Sequence, residues 1–181
     1  MPRVLCLLLV LALAACSAAA DAPRLDIAAA RLERRGDGLW LVADCRWQPS
    51  AAMLDGLDHG VALTLDVDVA ARAPGWLGAW RPTTARRHRL ELRYFPLTRQ
   101  YQWRDVARGP LRSFAVRSAA LSSLERLELP LDIPARDTAT RWTLRVGLDT
   151  EALPGALRLP ALVRPEWRQA PAVHRWTGSA G

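Results

Sequence analysis

Several stretches of this chain alternate apolar and polar residues one by one. A two-residue period puts successive side chains on opposite faces of a strand, so these stretches restrict the chain to folds built from half-buried sheet. Val61, Leu63, Leu65, Val67 and Val69 alternate with Ala62, Thr64, Asp66 and Asp68. Trp142, Leu144, Val146 and Leu148 alternate with Arg141, Thr143 and Arg145. Leu39, Leu41, Ala43, Cys45 and Trp47 share one face, opposite Asp44, Arg46 and Gln48. On a further segment His88, Leu90, Leu92 and Tyr94 face one way, and Arg87, Arg89, Glu91 and Arg93 the other.

Turn residues divide these runs. Arg35-Gly36-Asp37-Gly38 joins a strand over Leu25 to Arg34 to one over Leu39 to Gln48. Pro96-Leu97-Thr98-Arg99 joins Arg86–Phe95 to Gln100–Ala107, and Arg108-Gly109-Pro110 leads into Leu111–Val116. Leu129, Leu131 and Ile133 lie between prolines, which suits an edge strand where a missing N–H is tolerated. Leu153 to Pro165 reads as irregular with one helical turn, and Trp167 to Trp176 as a last strand interrupted by proline. Helical spacing is expected in two places. One runs from Ser50, an N-cap, to Asp58, with Met53, Leu54 and Leu57 inward. The other spans Ser118 to Leu127, with Leu121, Leu124 and Leu127 on one stripe. The expectation is an all-β fold, an antiparallel β-sandwich or open barrel of about eight short strands with two short helices.

The amino terminus carries Arg3 and then the apolar run Val4 to Leu13, too short for a span that needs about twenty residues. It reads as a signal peptide within residues 1–20, ahead of a single domain over residues 21–181. Two cleavage routes are open. Leu13-Ala14-Ala15-Cys16 resembles a bacterial lipobox, in which the Cys16 thiol is acylated and becomes the new terminus, and Ser17 then implies sorting to the outer membrane. Ala18-Ala19-Ala20 also offers ordinary cleavage before Asp21, which would release a soluble periplasmic protein. Either route leaves Cys45 as the last cysteine, so no disulfide holds the domain.

The formal charge of +7 suggests an anionic partner, but its composition weakens that reading. Every cationic residue counted is arginine, with no lysine or asparagine anywhere, the imprint of a GC-rich coding bias. No zinc-knuckle, RNP-type or basic-helix pattern accompanies it, and export argues against nucleic acid.

A hydrolase requires a nucleophile beside a base, and no G-x-S-x-G elbow is present. His59, His88 and His174 have no zinc-binding spacing, and no glycine-rich phosphate loop exists. Asp66 and Asp68 share a face, but two carboxylates without further oxygen ligands make a poor cation site. No cofactor, metal or catalytic residue is therefore expected.

Leu54-Asp55-Gly56-Leu57-Asp58-His59-Gly60-Val61-Ala62-Leu63 and Leu92-Arg93-Tyr94-Phe95-Pro96-Leu97-Thr98-Arg99-Gln100-Tyr101 carry a resemblance, together with Leu148-Asp149 through Leu153-Pro154 and the closing tryptophans. These phrases resemble a proteobacterial family catalogued as domain of unknown function 4390. The second, similar to the family's L-x-Y-x-x-L-T-x-x-Y hairpin, is the most specific. The aromatic loop is sparser than in the family, with only Trp76 and Trp80. The resemblance implies an envelope location and brings no catalytic residues.

Two features remain as binding candidates. One is the arginine-rich strand face of Arg87, Arg89 and Arg93, with Arg99, Arg104, Arg108 and Arg112 nearby; the other is the loop bearing Trp76 and Trp80. The expectation is a non-catalytic cell-envelope protein that binds a protein partner or an anionic lipid or glycan through them. A small-ligand carrier, an enzyme, and an assembly accessory with open edge strands are the alternatives.

Overall fold

A computed structural model describes residues 22–72, 84–134 and 141–178. Nine strands form two antiparallel sheets, and no closed barrel results. Strands β1 (Arg24–Arg35), β2 (Gly38–Gln48) and β7 (Leu127–Pro134) make the smaller sheet, in the order β1-β2-β7. The larger runs β6-β5-β4-β3-β8-β9, from β3 (Leu63–Arg72), β4 (Thr84–Phe95), β5 (Gln100–Asp105), β6 (Gly109–Phe114), β8 (Arg141–Leu148) and β9 (Ala172–Thr177).

Alternation decides which face of each strand turns inward. Leu63, Leu65, Val67 and Val69 of β3 pack with Leu39, Leu41, Cys45 and Trp47 of β2 in one continuous core. Burying each such side chain contributes roughly 1.5–3 kcal/mol, and this core takes the place of a disulfide. Trp142, Leu144 and Val146 face the same interior, and Trp103 donates its indole N–H to Ala120 O at 2.8 Å. Cys45 is buried, and desolvation, with Asp44 next to it in sequence, pushes its thiol up to about 12.

Ser50 caps helix α1 (Ala51–Asp58) by accepting from Met53 N at 3.1 Å. Helix α2 (Arg117–Ser122) starts one residue before Ser118, and Val116 stands at the cap position without a side-chain bond. The remainder of that expected helix tightens into a 3-10 turn over Ser123–Arg126. Leu153 to Pro165, expected to be irregular, contains helix α3 (Gly155–Val163) with Pro160 inside it. A proline there removes one helical hydrogen bond. Ala161 is buried and Leu157 packs on the core, so tertiary burial outweighs that loss. The last expected strand shortens to β9, because Pro165–Trp167 form a 3-10 turn and Gln169 turns inward to accept from Trp47 Nε1 at 2.7 Å.

The sheet margins differ. β7 is an edge strand, and two of its carbonyls accept from guanidinium groups across the sandwich. Arg86 Nε donates to Leu131 O at 3.1 Å, and Arg108 Nη1 donates to Pro130 O at 2.9 Å. β1 and β9 run close together at the opposite margin. β6 pairs only with β5 and leaves its other edge open among the described strands.

Candidate binding surface

The β3–β4 register sets Asp66 opposite Arg89 and Asp68 opposite Arg87 on the outer face of the larger sheet. Arg87 Nε donates to Asp68 Oδ1 at 2.6 Å. Arg89 bonds Asp149, and its Nε lies 3.7 Å from Asp66 Oδ1. Arg87 and Arg89 of the expected patch thus stand in a ladder of alternating sign, where cross-strand attraction holds the sheet. Beside it, Asp66, Asp68, Arg87, Arg145 and Gln169 line a polar cleft of about 300 Å³. Asp66 Oδ1 is buried there without a hydrogen bond. Burial, and then the Asp149 charge, raise the Asp66 carboxyl above its ordinary range against the pull of Arg87 and Arg89.

Further along the sheet the arginines are less committed. Arg93 approaches Glu91 only to 4.0 Å, and Arg104 lies opposite the same Glu91 in the β4–β5 register. No ion pair forms to Arg104 or Arg99 among the described residues. Arg99 closes the β4–β5 turn in a left-handed backbone, at φ +51°. That conformation favours glycine and costs a side-chain-bearing residue roughly 1–2 kcal/mol. The turn exposes Leu97 completely and leaves Phe95 more than a third exposed. Its base is rigid: Tyr94 and Tyr101 pack with ring centroids 4.7 Å apart, and Tyr101 donates its hydroxyl to Asp58 at 2.7 Å. The fold brings Arg93, Leu97 and Arg99 together on one hairpin, and the β3–β4 register assigns Arg87 and Arg89 to the ladder.

Cys16, Trp76 and Trp80 lie outside the described residues.

One buried polar centre escaped the sequence reading. His88 Nδ1 lies 2.8 Å from Asp105 Oδ2, and Asp105 Oδ1 accepts from Ala107 N at 2.9 Å. Burial alone would raise the Asp105 carboxyl, but the His88 bond, the Ala107 N–H and the Arg108 charge hold it below the ordinary carboxylate range. Its signal was the hairpin register: Leu90 opposite Asp105 puts Asp105 on the inward face with His88. The same Arg108 that caps β7 bonds Asp132, so this arginine, whose charge also acts on Asp105, braces the two sheets together.

The model of the family described as a domain of unknown function, DUF4390, matches residues 22–177. The chain belongs to this family. The match spans every described strand of both sheets. No curated protein and no solved structure matches the chain.

Proposed function

We propose that this DUF4390 protein is an exported, non-catalytic module of the cell envelope, anchored by an acylated Cys16, that binds an anionic envelope component through its β4–β5 hairpin. The observation that carries this reading is the fully exposed Leu97 flanked by Arg93 and Arg99, the latter kept at a backbone position where glycine is favoured. An apolar tip with cationic shoulders suits a surface that is negatively charged and partly apolar. Arg104 extends the same charge along β5, and the loop of Trp76 and Trp80 is proposed as a separate aromatic contact.

A photo-cross-linker placed at position 97 in intact cells tests this. The expected result is a dominant adduct that is lost in the Arg93→Glu, Arg99→Glu double variant. Equal yields from both proteins would remove the hairpin from consideration. Arg89 is unsuited to this test, because reversing it disrupts the pair with Asp149.

A second reading, carriage of a small polar ligand, is favoured by the outer-face cleft with its unbonded Asp66 Oδ1. Calorimetric titration with amino acids and sugars, repeated on Asp68→Ala, tests it.

A further inference from the structure

We infer that the end of the sandwich carrying α1 is a membrane-seating surface, in which the outward side of α3 lies on an anionic bilayer beside the hairpin tip. The inference deepens the proposed function and rests on its lipid-anchored reading of Cys16.

Helix α3 turns Leu159, Leu162 and Val163 outward, at 74%, 60% and 73% exposure. Three large apolar side chains on one short helix form a patch that the described chain leaves uncovered. Arg158, Arg164 and Arg168 surround it, and Glu166 is paired with Arg164 at 3.7 Å. An apolar helical side with basic edges is the pattern that lies in a headgroup region. At nine residues α3 cannot cross the membrane, and no described helix is long and apolar enough to do so.

Hydrogen bonds fix where this helix sits. Arg24 begins β1 opposite Gln48, the last residue of β2. Beside that pair, Trp47 donates to Gln169, and Ser50 Oγ donates to Glu166 O at 2.6 Å. Arg168 in turn donates to Leu162 O at 3.0 Å. The segment after α3 is thereby pinned to the point where β1 starts. At the other end of α1, the bond from Tyr101 to Asp58 ties in the base of the β4–β5 hairpin. The hairpin tip, α1, α3 and the start of β1 therefore share one end of the sandwich.

The length of chain before β1 selects the occupant. Cys16 precedes Arg24 by eight residues, a reach of at most roughly 29 Å when fully extended. From Arg24 to Arg35, β1 itself runs about 36 Å. An acyl chain on so short a leash holds the bilayer against the end where β1 starts, which is the end bearing Leu97, Leu159, Leu162 and Val163. Anionic headgroups complement the arginines at both contacts.

The test uses the full chain purified from its host membrane. Cys45 is buried, so a cysteine introduced by Leu162→Cys takes an environment-sensitive fluorophore selectively, with Asp37→Cys in the exposed β1–β2 turn as the far-end control. Each protein is reconstituted into vesicles of phosphatidylglycerol with phosphatidylethanolamine, and into vesicles of phosphatidylcholine alone. The expected result is a blue shift at position 162 with several-fold quenching by a lipid-borne quencher, stronger in the anionic vesicles, and a solvent-like signal at 37. Solvent-like signals at both 162 and 37 in vesicle-held protein overturn the inference. A native mass beginning at Asp21 overturns it too, by removing the leash. Binding of a soluble polyanion with no change at 162 overturns the bilayer as the component while leaving the hairpin's anionic binding intact. The Arg93→Glu, Arg99→Glu variant separates the two claims: loss of the position-97 adduct with the 162 signal unchanged assigns the hairpin to a different anion, and again overturns the shared surface.

Discussion

His88 Nδ1 and Asp105 Oδ2 are 2.8 Å apart with 5% and 1% of their residues exposed, a hydrogen-bonded pair sealed between two sheets. Arg108, whose charge acts on Asp105, donates to the carbonyl of Pro130 in the other sheet, and on that placement the pair is expected to act as a strut. Removing His88 leaves the buried Asp105 carboxylate with only the Ala107 N–H and the Arg108 charge to offset its desolvation. His88→Leu is expected to destabilise the fold by about 1–3 kcal/mol in urea unfolding. The double variant with Asp105→Leu should recover much of that loss. A single variant of unchanged stability would contradict the strut.

The same carboxylate sets the acid limit. The folded-state pKa of Asp105 is depressed, so its contribution is fully present above the ordinary carboxylate range and is lost as pH falls through the depressed value. Thermal unfolding followed downward from neutral pH should show the midpoint fall in that window. The fall should be shallower in Asp105→Asn, measured against its own neutral value.

Asp66 carries the opposite sign. Its raised pKa means that the folded protein takes up a proton there more readily than the unfolded chain does. Asp66→Asn is therefore expected to be neutral or stabilising near pH 7, with any gain shrinking as pH falls toward the carboxylate range. A clear loss at pH 7 would show that attraction to Arg89 outweighs the burial cost.

Arg99 is predicted to trade stability for contact. Arg99→Gly removes the left-handed penalty and should raise stability by up to about 1 kcal/mol, part of the gain being lost to the freer unfolded chain. The same variant should bind anionic vesicles more weakly. Thermal unfolding and vesicle sedimentation on one preparation read both quantities.

With its thiol held near 12 and sealed in the core, Cys45 should resist a thiol reagent at neutral pH until urea opens the fold. Rapid reaction of the native protein would mean that the β2 face opens locally.

Strand faces were legible because a period of two fixes them: every inward residue assigned to β2, from Leu39 to Trp47, is buried. Helix α3 was not, because Pro160 dominates a local reading while the burial of Ala161 that outweighs it is a tertiary fact. The arginine face was half legible. Alternation put Arg87, Arg89 and Arg93 on one side, but only the β3–β4 register shows that Asp66 and Asp68 answer two of them. Arg99 looked like one more cation in a run, and its distinction lies in a backbone angle that no composition reveals.

The guanidinium caps on β7 bear on what happens when these molecules crowd together. With β7 stoppered by Arg86 and Arg108, and β1 lying against β9, β6 is the one described edge left to recruit a strand. In the vocabulary of polymer chemistry the described strands make a monofunctional monomer: two copies can join at β6, and among those strands no second end is left from which a fibre grows.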